Sequence, residues 1–174
     1  MSAEITKKVL TGQVGEYKSV AVNEILFTDR EGLSEEIITA IDPAFLEEPT
    51  DLIYTHIFPY MRIPDVIKDT GSYILMSVDV PKVSTVNYFF KQIVLSIMVV
   101  VHQDEMRMHG KTNRTRCDYI AERIYSIFNG NKNFTGEQLE YVSDVEGIIA
   151  NKFHTRTLRF TVEEVNKTQC ETNL

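Results

Sequence analysis

Hydrophobic and polar positions are most sharply ordered between Lys91 and Gly130, and the rest of the chain is best read outward from there. In IVLSIMVVV, Ile93, Leu95, Ile97, Val99 and Val101 recur at every second position and β-branched side chains dominate, the pattern of a strand. The opposite row, Val94, Ser96, Met98, Val100 and His102, is half apolar. The strand is therefore expected at the centre of a sheet, with at least partial cover on both faces. A polar loop, His102–Arg116, follows. Beyond it Cys117, Ile120, Ala121, Ile124, Ile127 and Phe128 recur at helical spacing, with Asp118, Glu122, Arg123 and Ser126 on the other side. Asn129-Gly130 ends this helix, expected at about 115–129, because Gly accepts the left-handed conformation in which helices commonly stop.

Residues 1–32 are weakly patterned, with Val20, Val22, Ile25 and Phe27 hinting at a short strand or arm. Ser34 is placed to cap a short helix, with Glu35 and Glu36 in its first turn and Ile37, Ile38 and Ile41 on one face. Pro43 stops it near Asp42. The stretch 43–70 holds four of the five prolines, yet it is rich in large apolar groups, Phe45, Leu52, Ile57, Phe58, Tyr60 and Met61 among them. A flexible linker lacks such groups. This excursion is expected to be ordered, its aromatics pinned on the core or on a neighbouring subunit, packing within one chain being their commoner fate.

Tyr73–Val80 alternates as a strand with Ile74, Met76, Val78 and Val80 on one face, and Pro81 is expected to stop it. Lys82–Tyr88 reads as a loop, Asn129–Gly136 as turns, Gln138–Val145 as a short strand and Gly147–Lys152 as a turn region. Phe153–Glu164 is the last strand, with Leu158, Phe160 and Val162 facing in. The expected fold class is α+β: a mostly antiparallel sheet of about four or five strands, with one main helix and a shorter N-terminal helix packed on it. One domain, 1–174, is expected, with an arm and short helix in 1–45, a core in 50–166 and a frayed tail at 167–174.

Composition adds limits. The chain is 43% hydrophobic and 25% charged, with a net charge of −7. That balance argues against a surface built as a whole to grip nucleic acid. The longest apolar run, nine residues including Ser96, is far short of the roughly 20 a membrane helix needs, and the first residues lack the apolar core of a signal peptide. Neither a membrane nor secretion is expected. Cys117 and Cys170 are too few and too scattered for a disulfide framework or a zinc site, and Cys117 reads as a small core residue.

No motif in the chain carries chemistry by itself. Gly110-Lys111-Thr112 resembles the end of a phosphate-binding loop, but Glu105 stands where that loop needs its first Gly. His102, Asp104, His109 and Asp118 match no common metal-ligand spacing. Nothing local supports a nucleophile–His set, so no catalytic residue, metal or cofactor is expected. The basic residues Arg107, Lys111, Arg114 and Arg116 follow Asp104 and Glu105 in one loop. Such mixed charge suits pairing between subunits better than phosphate binding.

Four stretches, YILMSVDVPKVSTVN (73–87), IVLSIMVVVHQDEM (93–106), TRCDYIAERIYSIFNG (115–130) and FHTRTLRFTVEEVN (153–166), together with THIFPYMRIPD (55–65), form an ordered pattern. In pattern and order it resembles the small neck and tail-terminator proteins of long-tailed bacteriophages and prophages, over roughly residues 50–166. The resemblance implies a non-enzymatic virion protein, assembled in the host cytoplasm, that forms a hexameric ring on the tail tube and joins it to the head connector. Its partners would be further copies of itself, the tail-tube protein and neck proteins, with genome DNA crossing the lumen without tight binding. A closing ring needs two different patches per subunit. The expected patches are the polar loop (Asp104, Glu105, Arg107, Lys111, Arg114 and Arg116) and the excursion (Phe58 and Tyr60). The alternatives are another neck ring such as a head-completion or stopper protein, a host α+β domain binding a ligand or nucleic acid, and a metal hydrolase using His102, Asp104 and His109.

Overall fold

In the computed structural model, which describes residues 33–42, 49–58, 60–61, 70–83, 90–108 and 114–165, five strands form one sheet. They are β1 (Ile57–Phe58), β2 (Ser72–Val83), β3 (Phe90–His102), β4 (Glu140–Ile149) and β5 (Phe153–Val165). Their order is β1-β2-β3-β5-β4, so the strand that is apolar on both faces does lie in the middle. All pairings are antiparallel except the short β1, which runs parallel to β2. Two α-helices, α1 (Leu33–Ile41) and α2 (Arg116–Phe128), complete the expected α+β class.

The main core lies between the helices and one face of the sheet. Ile93, Leu95, Ile97, Val99 and Val101 of β3 meet Ile74 and Met76 of β2, Leu158, Phe160 and Val162 of β5, and the apolar stripes of both helices. On the reverse face a smaller cluster joins Phe58, Tyr73, Leu75, Val100 and Phe153. Tyr73 and Leu75 are thus buried on the row of β2 that its alternation marks as the outer one.

Thr115 caps α2, its hydroxyl accepting from the Asp118 backbone N–H at 3.1 Å. Gly130 follows the helix at φ 77°. The short helix begins at Leu33, one residue before the expected cap Ser34, and ends at Ile41.

Two expected boundaries are corrected. Pro81 does not stop β2, which runs on to Val83. Val80 and Pro81 together stand opposite Ile93, between the pairs Asp79↔Val94 and Lys82↔Gln92. A bulge of this kind removes the need for the N–H that Pro lacks. Likewise β4 does not end at Val145 but continues through Gly147 to Ile149. A Cβ at Gly147 would stand 2.9 Å from the Thr155 hydroxyl of the paired strand, so this glycine serves close packing within the sheet. The three-residue loop 150–152 is turned by Ala150 and Asn151, both at positive φ, with the Lys152 N–H donating to the Ile149 carbonyl at 3.3 Å. The expected N-terminal arm (1–32) and frayed tail (167–174) lie outside the described residues.

Candidate functional site

The polar loop leaves β3 at His102, whose Nδ1 accepts from the Asp104 backbone N–H at 3.3 Å. Its ring stands edge-on to Phe153, with centroids 4.9 Å apart. Asp104 and Arg107 are exposed. Glu105 turns inward to Arg116, with 3.3 Å between Oε2 and Nη2. Arg116 also donates from Nη1 to the Ala40 carbonyl at 2.8 Å and keeps only 7% of its surface exposed. It fastens the end of α1 to the start of α2 and is not available to a partner. Arg114 pairs with Glu122, which lies in the second turn of α2. Lys111 and His109 lie outside the described residues, as does the Gly110-Lys111-Thr112 triplet.

The expected basic patch is therefore divided among the residues described. One arginine is internal, one is neutralised by the helix that follows it, and Arg107 alone is exposed without an ion pair. The two paired arginines meet carboxylates brought to them by the path of the chain, which a count of charges cannot reveal. Asp118, a candidate metal ligand by sequence, instead accepts from Arg156 Nη1 at 2.6 Å. Among the described residues, no group of three or more His, Cys, Asp or Glu is placed to hold a metal.

Of the excursion residues, Phe58 is corrected from surface to core: it is buried against Tyr73 and Leu75. Tyr60, with its ring 5.8 Å from that of Phe58, remains exposed. The side of the molecule that sequence patterning overlooks is the far edge of the sheet. Eight large apolar side chains are exposed among the described residues: Tyr54, Tyr60, Val80, Tyr125, Tyr141, Val142, Val145 and Ile148. Seven fall at one or other lateral edge of the sheet, and Tyr125 lies on α2 against the β4 edge. Tyr54 and Tyr60 flank β1, and Val80 lies on β2 beyond the reach of β1. Tyr141, Val142, Val145 and Ile148 line β4, and the Tyr125 ring stands edge-on to that of Tyr141, with centroids 5.0 Å apart.

The signal for the β4 edge is present in EYVSDVEGII. Apolar residues occupy both alternating rows, as in a buried strand, yet three carboxylates interrupt them. A strand inside the sheet would not tolerate that mixture. An edge strand does.

Arg156 clamps this edge to the body of the protein. Its Nε donates to Asp144 Oδ1 at 2.9 Å, its Nη2 pairs with the same carboxylate, and its Nη1 reaches Asp118 in the first turn of α2. The bond to Asp144 leads in holding this guanidinium more firmly charged than usual, with both carboxylates adding to it. On α2, Arg123 pairs with Glu36 of α1 at 2.6 Å, and the Tyr119 hydroxyl donates to the same carboxylate at 2.9 Å. The helix layer is thus tied together by charge as well as by apolar contact.

Cys117 lies beneath this network. Burial, and after it the nearby Asp118 carboxylate, pushes its thiol up to about 12. The thiolate is the reactive form, so Cys117 is expected to resist a thiol reagent at pH 8 until the protein is unfolded. Mass-spectrometric mapping of labelled cysteines, with and without denaturant, checks this.

The model of a family described as YomW matches residues 23–162, most of the chain. The family name is of the phage and prophage type and marks the chain as phage-associated. No curated protein and no solved structure matches.

Proposed function

This chain belongs to the YomW family, and we propose that it is a structural protein of the phage head–tail junction that assembles into a ring. In that role it caps the tail tube as a tail terminator, joins the tube to the head connector and works by assembly rather than by catalysis. The observation that carries this reading is the placement of exposed apolar groups at two opposite, chemically different edges of one sheet. Contiguous exposed apolar surface marks interaction sites. Two unlike patches on one subunit suit a heterologous contact, which closes into a ring when the rotation per step permits.

The net charge of −7 supports the same role. Phosphate contacts dominate affinity for DNA, and a lumen that the genome must traverse works best without a basic lining. The division of the basic loop among Glu105, Glu122 and the Ala40 carbonyl is in keeping with this. The assignment as tail terminator, rather than another neck ring, rests on the resemblance of the 50–166 pattern to that group.

The test is electron microscopy of the purified protein mixed with tubes of the phage tail-tube protein. Rings seated on tube ends, with tube length arrested on their addition, are the expected result. Tubes that grow on with bare ends would contradict a terminator role.

A further inference from the structure

We propose that residues 18–27 of one copy add as an antiparallel strand to the β4 edge of the next, so that each subunit grips its neighbour with the chain ahead of α1. This deepens the ring reading and rests on it. The first support is the receiving edge. Tyr141 and Ile148 pair with Phe160 and His154, on the helix side of the sheet, while Val145 pairs with Thr157 on the reverse side. A helix laid on either face would cover one row. A strand added in the plane of the sheet brings side chains against both. Among the described residues the stretch Ser143–Ile149 pairs with β5 on one side only, which leaves its outward N–H and C=O groups as a template. Edges meant to stay free are commonly blunted by Lys or Pro, and β4 contains neither.

The path of the chain selects the donor. α1 packs on β2 and α2, and α2 packs on β3 and β5. Glu36, near the start of α1, meets Tyr119 and Arg123, while Ala40, near its end, meets Arg116. The two helices are therefore antiparallel. Asp118 at the start of α2 meets Arg156, opposite Glu146, and Phe128 at its end packs on Phe160, opposite Tyr141. α2 thus runs against β4, and α1 runs with it. Leu33, the first residue of α1, lies towards the level of Tyr141, on the β2 side of the sheet. A strand that runs against β4 finishes at that same level, placed to enter α1.

Reach separates the neighbour's edge from the chain's own. The backbone from Phe27 to Leu33 spans at most roughly 20 Å. A strand added outside the same copy's β4 lies four strand spacings from β2. That is about 19 Å in the plane and about 22 Å once the step between packed layers is included. α2 also stands across that line. A second copy set beside the first without flipping presents its β4 on the other side, beyond β1 and the Ile53 bridge that covers it. A strand added there lies about three spacings from β2, roughly 17 Å with the same step between layers, and is within reach.

Residues 18–27 lie outside the described residues, and their sequence fits the edge. Apolar side chains stand on both rows, Val20, Val22 and Leu26 on one, Ala21, Ile25 and Phe27 on the other. With Val22 opposite Val145, Ala21 faces Glu146, Asn23 faces Asp144 and Glu24 faces Ser143. No carboxylate then meets another, which would destabilise the pair. In that register Ile25 and Phe27 fall on the helix-side row, towards Tyr141 and Tyr125. Over residues 5–18, Lys7, Lys8 and Lys18 outweigh Glu16, which brings positive charge towards the exposed Glu146. The chain after Val165, NKTQCETNL, has Leu174 as its one aliphatic side chain and offers no comparable strand.

Two variants of the full chain test the proposal by sedimentation velocity. The edge variant carries Val145→Lys and Ile148→Lys, both at exposed positions. The arm variant carries Ala21→Pro and Val22→Pro, adjacent prolines that remove a β4-facing N–H whichever of the two faces it. Circular dichroism verifies that each variant keeps the wild-type melting temperature. The wild type is expected to self-associate and each variant alone to sediment as a monomer. An equimolar mixture is expected to stop at dimers, in which the edge variant donates its segment to the intact β4 of the arm variant. Dimers of the arm variant alone would overturn the proposal in favour of β4–β4 pairing. Wild-type-sized rings from either variant, or monomers in the mixture, would overturn strand donation and leave the ring reading standing. A wild type that stays monomeric at all concentrations would overturn strand donation, and bare tube ends after mixing with the tail-tube protein would then remove the ring reading too.

Discussion

Phe128→Ala is expected to cost about 3–5 kcal/mol of folding stability. Phe128 is the last residue of α2 and is fully buried. Its ring packs on that of Phe160, with centroids 5.8 Å apart, and Phe160 in turn meets Tyr141 at 6.0 Å. The truncation leaves a cavity where the end of the helix, the middle of β5 and the start of β4 converge. That corner is held from above by Gly130 and Leu139, which bond across the loop joining α2 to β4, and so it has little freedom to collapse. Urea denaturation of wild type and variant checks the value through the shift in midpoint. An unchanged slope would show that only stability has altered.

Arg116→Ala is expected to follow at about 1.5–3 kcal/mol, the range for hydrogen bonds that involve a charged group. The guanidinium is a polar link between the end of α1 and the polar loop, reaching the Ala40 carbonyl and Glu105. Removing it strands that carbonyl in a buried setting and frees Glu105 to solvent. Arg116→Met separates charge from packing, since Met restores part of the apolar stem that Arg lays along the core. A Met variant as unstable as the Ala variant assigns the loss to the hydrogen bonds; recovery towards wild type assigns it to the stem. Thermal melts of all three proteins provide the comparison.

These two residues show what patterning can and cannot deliver. Phe128 sits on a helical stripe with Cys117, Ile120, Ala121, Ile124 and Ile127, and period alone marks the whole stripe as core. The centrality of β3 follows in the same way, from apolar residues on both of its rows. Arg116 illustrates the opposite case. It stands in a polar stretch, and nothing local reveals that Ala40 presents a carbonyl to it from a helix 76 residues earlier. Phe58 is ambiguous by sequence for a similar reason. The reverse-face cluster that buries it draws on β2, β3 and β5 at once.

The β4 edge is hidden in the sequence because glycine has two uses. Gly147 suggests a turn when only its neighbours in the chain are considered, while in the sheet it makes room for the Thr155 hydroxyl. Once Gly147 is placed inside the strand, Ile148 falls on an exposed edge beside Val145 and Val142. The candidate assembly surface then moves from the polar loop to the rim of the sheet. Tyr60 is the one residue of the sequence-based interface set that this surface retains.

If unlike edges drive assembly into a closed ring, the mass of the assembled protein must show it. Native mass spectrometry of the full chain, over a range of protein concentrations, reads that mass. The expected result is a single dominant closed species, with six copies the number implied by the family resemblance, in equilibrium with monomer and growing at its expense as concentration rises. A two-fold dimer that grows no further, or a monomer throughout, would contradict assembly through unlike edges.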